Sequence, residues 1–477
     1  MKRKVILWCL LFFPITIFSQ SPFKGSWQGK IEMANLRIVF HITNNPENTL
    51  QSTFDSPDQS AFGLKINETI IENDSIFLHA KQFNLSYKGQ LINDSTIIGE
   101  MNQGISFPLT LHRIQKGVEI KEPTRPQTPQ PPFPYTEKEV FFNNTKDNIQ
   151  LSGTLTIPGN TNREAYPAFI LISGSGPQDR DETIFGHKPF AVIADYFTRK
   201  GFAVLRYDDR GTGQSTGNFS TATTEDFAHD AEAALQYLKT LPEINSAQIG
   251  LIGHSEGGMI APIVAENNPD IHFIILLAAP GIPIVDLMTE QNIAIQRSMG
   301  ISEKAANAYG ELYKQMINKI ITNKTDETSL YTSLLALSTH WAQQQEKAVL
   351  MVLQLSTEAL RENLITQLIK ETSSPWMKNF LSYNPQPTLK NVKAKILALN
   401  GSKDIQVLAQ SNTSGIKQTL AKGKSTSYEV KIIDNVNHLF QSCKLCSIQE
   451  YSTLDETISP DVLNIIYQWL KKEKIAP

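Results

Sequence analysis

The chain has 477 residues, of which 40% are hydrophobic and 19% are charged, and this composition is typical of a globular protein with two or three domains. Its 44 basic and 47 acidic residues give a formal net charge of −3, and lysine and arginine form no dense block. The composition therefore argues against nucleic acid as a partner.

Residues 1–19 have the features of a secretory signal. Lys2, Arg3 and Lys4 precede an apolar run over residues 5–13, and Ser19 offers a small residue at a plausible cleavage point. The run is shorter than the ~20 residues that a spanning helix needs. We therefore expect an exported protein, periplasmic or secreted, without a stable membrane span after signal removal. An uncleaved N-terminal anchor is the alternative.

Residues 20–115 are predicted to form a small all-β domain. Short segments of alternating polarity occur at 27–31, 36–42, 64–70, 75–78, 85–91, 95–98 and 109–114. Their close spacing, with Asn, Asp, Ser and Pro between them, favours a barrel or a sandwich. No residue in this domain suggests catalysis.

A proline-rich segment over residues 116–135 follows the β-rich domain. Its prolines are Pro123, Pro126, Pro129, Pro131, Pro132 and Pro134. This density of proline opposes a helix or a central strand and favours an extended spacer. We therefore predict a linker and a domain boundary here.

The remaining chain is predicted to be an α/β domain over residues 136–281 and 388–477. Its predicted strands are 140–142, 151–157, 168–172, 203–207, 249–252, 273–277, 396–399 and 428–433. Its predicted helices are 189–200, 226–239, 259–265, 410–420 and 461–472. This alternation predicts a mostly parallel, doubly wound sheet.

The sequence QIGLIGHSEGG at residues 248–258 has the pattern of a nucleophile elbow. A short apolar strand precedes Gly-x-Ser-x-Gly, and a buried helix follows it. Gly253 and Gly257 permit the sharp turn that holds Ser255 in strained backbone geometry at the helix N-terminus. A serine in a glycine-rich surface turn is the alternative.

Two later segments supply partners for a nucleophilic serine, which needs a base that is oriented by a carboxylate. Asp404 follows one predicted strand in LNGSKD, and His438 follows the next in DNVNH. This order of serine, acid and histidine is the one expected for such a sheet. Asp434 competes with Asp404, but it lies only four residues before His438, so little chain is available to bring the two side chains together.

An oxyanion hole needs preorganised N–H donors. One candidate is the backbone N–H of Glu256, and the other is Ser175 or Gly176 in the SGSGP loop at residues 173–177. This loop alone is also compatible with a phosphate cradle, but it lacks the lysine and hydroxyl residue of a P-loop.

Other polar segments near these motifs are predicted to have structural roles. Residues 178–182 form a charged segment that we expect to be a salt-bridged loop, and residues 206–215 are expected to brace the floor of the site. His254 inside the elbow is also predicted to be structural. Cys443 and Cys446 are compatible with a disulfide or with two thiols, and no metal or cofactor site is predicted.

Residues 282–387 are helical in composition and interrupt the α/β alternation. An insertion between strands emerges at their carboxyl ends, so we predict a helical cap over Ser255. A helical segment packed elsewhere is the alternative. Apolar cap residues such as Trp376 and Phe380 are predicted to pack their own helices rather than to contact substrate, while His340 is placed where it could approach the substrate.

The segments SGSGPQDRDE, RYDDRGTGQSTG, GHSEGG, LNGSKD and VNHLF together resemble the α/β-hydrolase superfamily over residues 137–472. More narrowly, the chain is similar to bacterial carboxylesterases with an N-terminal β-domain, which are close to serine-aminopeptidase-like hydrolases. The resemblance implies a mostly parallel eight-stranded sheet with a helical cap insertion, preceded by a small all-β domain. It implies Ser255 as nucleophile, Asp404 as acid and His438 as base. One departure is Ser173, where many relatives have a histidine that braces the oxyanion loop.

We therefore expect a serine hydrolase that cleaves small carboxylic esters through an acyl-enzyme, without a cofactor. A serine aminopeptidase is the alternative within enzymes, and it would need an acidic pocket formed by Glu256, Glu290 or Asp286. A non-catalytic binding protein is the alternative from another class, and the intact serine, acid and histidine set argues against it.

Overall fold

The computed structural model describes residues 21–31, 36–45, 49–59, 61–103, 105–115, 124–159 and 163–476. The predicted signal at 1–19 and the first part of the predicted linker, 116–123, lie outside the described residues. The chain divides into unit 1, Met1–Pro123, and unit 2, Thr124–Pro477.

The described part of unit 1 is one antiparallel sheet of nine strands in the order β4-β3-β2-β1-β9-β8-β7-β6-β5. The strands are β1 (Gly25–Ile31), β2 (Leu36–Asn44), β3 (Leu50–Ser56), β4 (Ala61–Lys65), β5 (Glu68–Glu72), β6 (Ser75–Ala80), β7 (Leu85–Asn93), β8 (Thr96–Gln103) and β9 (Ile105–Arg113). Strand β3 was not predicted, and the single strand predicted at 64–70 is divided between β4 and β5.

The core of unit 1 is built on large aromatic side chains. Trp27, Phe40 and Tyr87 are fully buried, and the indole N–H of Trp27 donates to the carbonyl of Phe23 at 2.7 Å. The hydroxyl of Thr69 on β5 donates to the Ser52 hydroxyl on β3 at 2.9 Å. This bond brings the two ends of the sheet together, so the sheet curls around its core.

Two buried aspartates tie together the strands at one end of this sheet. Asp55 contacts the imidazole of His41 at 2.7 Å and accepts the backbone N–H of Gly63 at 2.7 Å. Asp58 accepts the backbone N–H of Arg37 at 2.7 Å and also pairs with its guanidinium. These carboxylates therefore have structural partners within unit 1.

Unit 2 contains an eight-stranded sheet in the order β10-β11-β13-β12-β14-β15-β16-β17. The strands are β10 (Tyr135–Asn144), β11 (Ile149–Pro158), β12 (Tyr166–Ile172), β13 (Ala203–Tyr207), β14 (Ile244–His254), β15 (Phe273–Leu277), β16 (Lys395–Gly401) and β17 (Tyr428–Ile433). Strands β12 to β17 run parallel to one another, whereas β11 is antiparallel to both of its neighbours, β10 and β13.

Helices cover both faces of the sheet in unit 2. On β12, Phe169 and Leu171 face α1 and α12, while Ile170 and Ile172 face α2, α3 and α11. Buried side chains thus alternate between two cores, as expected for strands covered on both faces. The helices are α1 (Pro189–Thr198), α2 (Thr224–Lys239), α3 (Gly257–Asn267), α11 (Ala409–Leu420) and α12 (Pro460–Lys472).

The segment between β15 and β16 consists of helices, which we call the cap. They are α4 (Ile284–Ser298), α5 (Glu303–Ile321), α6 (Glu327–Gln343), α7 (Lys347–Val352), α8 (Glu358–Glu371), α9 (Pro375–Ser382) and α10 (Pro385–Asn391). The cap has its own core, which includes Leu312, Met316, Leu334 and Trp341. Within the described ranges, no helix combines the length and the apolar character needed to cross a membrane.

The described part of the predicted linker is anchored on unit 2. The Arg125 guanidinium donates to the carbonyls of Phe185, Ser452 and Leu454 at 2.6–3.2 Å. The Gln127 side chain bonds to backbone groups near residue 458. This segment therefore differs from a free spacer, because the side chains of Arg125 and Gln127 form hydrogen bonds with backbone groups of unit 2.

Candidate active site

The predicted site residues lie in loops that follow neighbouring strands of unit 2. The SGSGP loop follows β12, Ser255 follows β14, Asp404 follows β16 and His438 follows β17. These strands are parallel, so their carboxyl ends meet at one edge of the sheet. The topology therefore gathers distant segments of the sequence at one place.

The turn at Ser255 is strained and closely packed. Ser255 has a φ of 53°, in the left-handed region that a non-glycine residue rarely adopts. A side chain at Gly253 would collide with the carbonyl of Gly257, and one at Gly257 would collide with the carbonyl of Ile172. The backbone N–H of Ser255 donates to the carbonyl of Leu277 at 2.8 Å, which fixes the turn on the neighbouring strand.

Asp404 and His438 form a buried pair. His438 Nδ1 lies 2.8 Å from Asp404 Oδ2, and both residues are about 5% exposed. The other oxygen of Asp404 accepts the backbone N–H groups of Gln406 and Val407, each at 2.8 Å. Asp434, the competing acid, is exposed, and it has no contact with His438 in the described part of the chain.

Two backbone N–H groups beside Ser255 are free to bind an oxyanion. The N–H groups of Ser175 and Glu256 have no acceptor among the described residues, and both residues border the same cavity as Ser255. The N–H of Gly174 is instead occupied by Glu182 Oε1 at 2.7 Å. Gly176 does not border the cavity, so the structure favours Ser175 over Gly176 as the loop donor.

A cavity of about 230 Å³ lies between the carboxyl-terminal edge of the sheet and the cap. Ser255 and His438 both border it, and no hydrogen bond joins their side chains among the described residues. No lysine or arginine is among its described lining residues. The cap contributes Leu287, Met288, Gln291, Trp376, Met377 and Phe380.

Trp376 and Phe380 were predicted to pack only within the cap, and this prediction is wrong. Their rings stack with centroids 5.3 Å apart, and both border the cavity. Neither residue lies in a recognisable motif, so no local pattern could have predicted this role. His340 is exposed on α6 and is not among the cavity residues.

The Glu256 carboxylate is buried beside the nucleophile and has only neutral donors. It accepts the Thr224 hydroxyl at 2.8 Å and the Trp376 indole N–H at 2.9 Å, and the Ser175 hydroxyl also bonds to it. Burial raises the pKa of the Glu256 carboxyl above its usual range, although these three bonds oppose the rise. The side chain therefore connects the oxyanion loop, α2 and the cap.

Charged residues brace the floor of the site, as predicted. Arg180 pairs with Asp208 at 2.6 Å, and Asp209 accepts the backbone N–H of Gln178 at 2.9 Å. The Ser173 hydroxyl donates to Asp209 at 2.9 Å. The serine at position 173 therefore braces the loop through this bond.

Two clusters of potential metal ligands occur in the described part of the chain, and neither borders the cavity. They are Cys443 with Cys446 and Glu450, and Asp147 with Asp226 and His229. Cys443 and Cys446 form a disulfide, with an S–S distance of 2.20 Å, so their sulfurs are not free to bind metal. Arg210 already occupies Asp147 at 2.7 Å in the second cluster.

The sequence and the fold were compared with known proteins. A family profile described as serine aminopeptidase, S33, matches residues 188–441. Esterase EstD of Thermotoga maritima is 30% identical over 216 residues, which cover 44% of this chain and 50% of EstD. The bifunctional esterase/perhydrolase DCH of Acinetobacter calcoaceticus is 29% identical over 133 residues, which cover 26% of this chain and 45% of DCH.

One solved structure illustrates the extent of structural similarity. An esterase of Pyrococcus furiosus, Pf2001, superposes with a TM-score of 0.41 and 14% identity, covering 71% of this chain and 91% of Pf2001. The chain spans about half the length, or less, of the curated relatives that it matches.

Proposed function

Because the chain belongs to the serine aminopeptidase S33 family of α/β hydrolases, we propose that it is a serine hydrolase that cleaves carboxylic esters through an acyl-enzyme. One observation carries the proposal. Ser255, His438, Ser175 and Glu256 all border one cavity, and Asp404 bonds to His438 from behind it. The esterase activity named for EstD supports the choice of ester over other acyl groups.

In this mechanism Ser255 Oγ attacks the carbonyl carbon of the ester while His438 Nε2 takes the hydroxyl proton. The electron pair of the carbonyl moves to its oxygen, and the N–H groups of Ser175 and Glu256 hold that oxyanion. The oxyanion collapses, the alkoxide leaves with the proton from His438, and an acyl-enzyme remains. Water repeats the sequence and releases the acid, while Asp404 orients the imidazole throughout.

The surroundings of the acidic candidates favour an esterase over an aminopeptidase. A substrate ammonium group would need a free carboxylate in the cavity, but the oxygens of Glu256 already accept neutral donors. Glu290 accepts the Ser411 hydroxyl at 2.5 Å, and Asp286 pairs with Lys314 at 2.7 Å outside the cavity lining. None of the three carboxylates is therefore available to a peptide N-terminus.

The size and lining of the cavity support compact, uncharged acyl groups as substrates. Its volume of about 230 Å³ is below the 300–1,000 Å³ that is typical for drug-sized ligands, and the side chains that the cap contributes are apolar except for Gln291. An acyl carboxylate would lie near the carboxylates of Glu182 and Glu256, which line the same cavity, so like charges would oppose its binding.

The test compares turnover of acyl esters of increasing chain length with turnover of an aminoacyl amide. Ser255→Ala should abolish ester turnover, whereas Ser220→Ala, at an exposed serine away from the cavity, should leave it unchanged. Short and medium acyl chains should be the best substrates. Amide turnover above ester turnover would replace the esterase by the peptidase, and activity in Ser255→Ala would refute the assigned nucleophile.

We also propose that the protein is exported and loses residues 1–19. The basic and apolar parts of that segment support the proposal, as does the Cys443–Cys446 disulfide, because disulfides persist in oxidising compartments. N-terminal sequencing of the protein from the periplasm or medium of the expressing cell tests it. If the protein is instead recovered from the membrane fraction with Met1 still present, residues 1–19 are an uncleaved N-terminal anchor.

A further inference from the structure

His254, the residue directly before the nucleophile, is buried and engaged at both ring nitrogens. Its Nδ1 lies 2.9 Å from Oε1 of Glu182, and its Nε2 lies 3.1 Å from the carbonyl oxygen of His438. The side chains of His254 and Glu182 are less than a tenth exposed. The ring therefore bridges the segment after β12 and the segment after β17.

The chemistry of these two partners fixes the number of protons on the ring. A backbone carbonyl can only accept a hydrogen bond, and so can an ionised carboxylate, whereas a neutral imidazole has one N–H to donate. Oε1 of Glu182 also accepts the backbone N–H of Gly174 at 2.7 Å, so this oxygen acts as an acceptor. With an acceptor at each ring nitrogen, the geometry fits hydrogen on both nitrogens of His254, which is the imidazolium form.

The charges that face His254 agree with this protonation state. Burial by itself opposes the cation, but the charge and hydrogen bond of Glu182, the carbonyl of His438 and the charge of Asp404 outweigh it and raise the pKa of His254. The His438 ring also faces it, with centroids 4.9 Å apart. Apolar side chains that include Phe190 pack beside the pair.

We propose that His254 is a positioning residue that holds an extra proton, and that its pair with Glu182 locks the oxyanion loop, the nucleophile turn and the catalytic histidine into one arrangement. The lock acts through Gly174 on one side and through the main chain of His438 on the other. This inference rests on the catalytic roles proposed above for Ser255 and His438.

A pH dependence follows from the lock. The pKa of His254 is raised, so the ring holds its extra proton to a higher pH than a free histidine does and loses it as the pH rises through the raised value. A neutral ring leaves one of its two acceptors facing a lone pair, and the lock opens. We therefore expect turnover to fall on the alkaline side as His254 loses this proton.

His187 provides a matched control, because it is a buried histidine whose partners allow a neutral ring. It contacts the Thr457 hydroxyl at 2.9 Å and the Tyr451 carbonyl at 3.0 Å, and a hydroxyl can donate as well as accept. Burial, with the nearby charge of Arg125, lowers the pKa of His187 to about 4.

The first test reads the protons directly from wild-type protein. Neutron diffraction from crystals grown in heavy water at about pH 7, just above the usual pKa of histidine, should show deuterium on both nitrogens of His254 and on only one nitrogen of His187. Only one deuteron on His254 would overturn the proposal. This measurement depends neither on a variant that folds nor on a known substrate.

The second test compares pH–rate profiles of ester turnover. The part of the profile in which turnover falls as the pH rises is called the alkaline limb. Glu182→Gln removes the carboxylate partner of His254, so the alkaline limb should move to lower pH by roughly one unit or more. His254→Gln should lower kcat at least tenfold more than it changes KM, because one amide nitrogen cannot reach both acceptors. Its turnover at high pH should then no longer depend on the titration of residue 254. His187→Gln should leave the position of the limb unchanged.

An alkaline limb that stays in place in folded Glu182→Gln would refute the lock. Wild-type protein that turns over no ester would refute the proposed function instead, while the deuteron count on His254 would still decide its protonation state.

Discussion

The indole N–H of Trp376 in the cap donates to both carboxylate oxygens of Glu256, at 2.9 and 3.1 Å. Glu256 also borders the cavity beside Ser255, and its backbone N–H has no acceptor among the described residues. One residue therefore carries a cap contact on its side chain and the proposed oxyanion donor on its main chain. We expect a movement of α9 to change the position of this donor.

Glu256→Gln should stabilise the protein in alkaline solution. The pKa of the Glu256 carboxyl is raised by burial, so the folded state favours the protonated form and loses stability as the pH rises from the usual value toward the raised one. Glutamine keeps an oxygen for Trp376 and Thr224 without the charge. We expect a gain of about 1 kcal/mol in the free energy of unfolding at about pH 8 and almost none at about pH 4.

Urea unfolding at the two pH values measures this gain, and Glu266→Gln on the exposed end of α3 is the control, with no gain expected at either pH. An equal loss of stability at both pH values in Glu256→Gln would show that the buried charge of Glu256 does not destabilise the wild-type protein in alkaline solution.

Trp376→Phe should weaken both the cap and catalysis. The ring is retained, but the buried Glu256 carboxylate loses a donor, which should cost about 1–3 kcal/mol of stability. The oxyanion N–H is carried by the same residue, so kcat for esters should fall more than KM rises. Trp376→Phe should cost less stability in the Glu256→Gln variant than in the wild-type protein. Strictly additive losses of stability in the double variant would contradict a direct coupling of the two side chains.

Gly257→Ala should prevent formation of an active fold. A β-carbon at this position would overlap the carbonyl of Ile172 on β12, and neither backbone can move without breaking the sheet. Gly300→Ala is the control, because no atom lies within 4 Å of its β-carbon and only its φ of 86° is unfavourable. We expect insoluble protein for the first and a loss of about 1–2 kcal/mol for the second. Soluble, active Gly257→Ala would contradict the packing described.

Asp230→Asn should strongly destabilise unit 2. Asp230 receives two bonds from the Arg210 guanidinium, at 2.7 and 2.9 Å, and both side chains are less than a tenth exposed. Loss of the carboxylate leaves a buried cation poorly compensated, at a cost of about 3–5 kcal/mol. Asp270→Asn, which breaks the exposed pair with Lys239, should cost less than about 1 kcal/mol. Thermal unfolding of the two variants separates these outcomes.

The sequence allowed prediction of those parts of the site whose signals are local. The strand, the Gly-x-Ser-x-Gly turn and the helix around Ser255 are contiguous, and Asp404 and His438 each follow a short apolar strand. Parallel topology then requires these loops to meet, so their proximity followed from element order alone.

Contacts between distant side chains could not be predicted in the same way. Trp376 and Glu256 are 120 residues apart, and Glu182 and His254 are 72 apart. These pairs depend on how the cap helices and loops pack, which no periodicity encodes. Strand β3 was missed for a different reason, because polar residues surround its buried Phe54 and mask the alternation.

The hydrogen bonds of Arg125 determine where a recombinant fragment that contains unit 2 should begin. Its guanidinium fastens Phe185, on the segment after the oxyanion loop, to Ser452 and Leu454, on the segment after His438. A recombinant fragment that begins at Tyr135, where the sheet starts, would contain every proposed catalytic residue but lack the bonds of Arg125. A fragment that begins at Thr124 would keep these bonds, so the shortest stable fragment should include part of the segment that its prolines predict to be a linker.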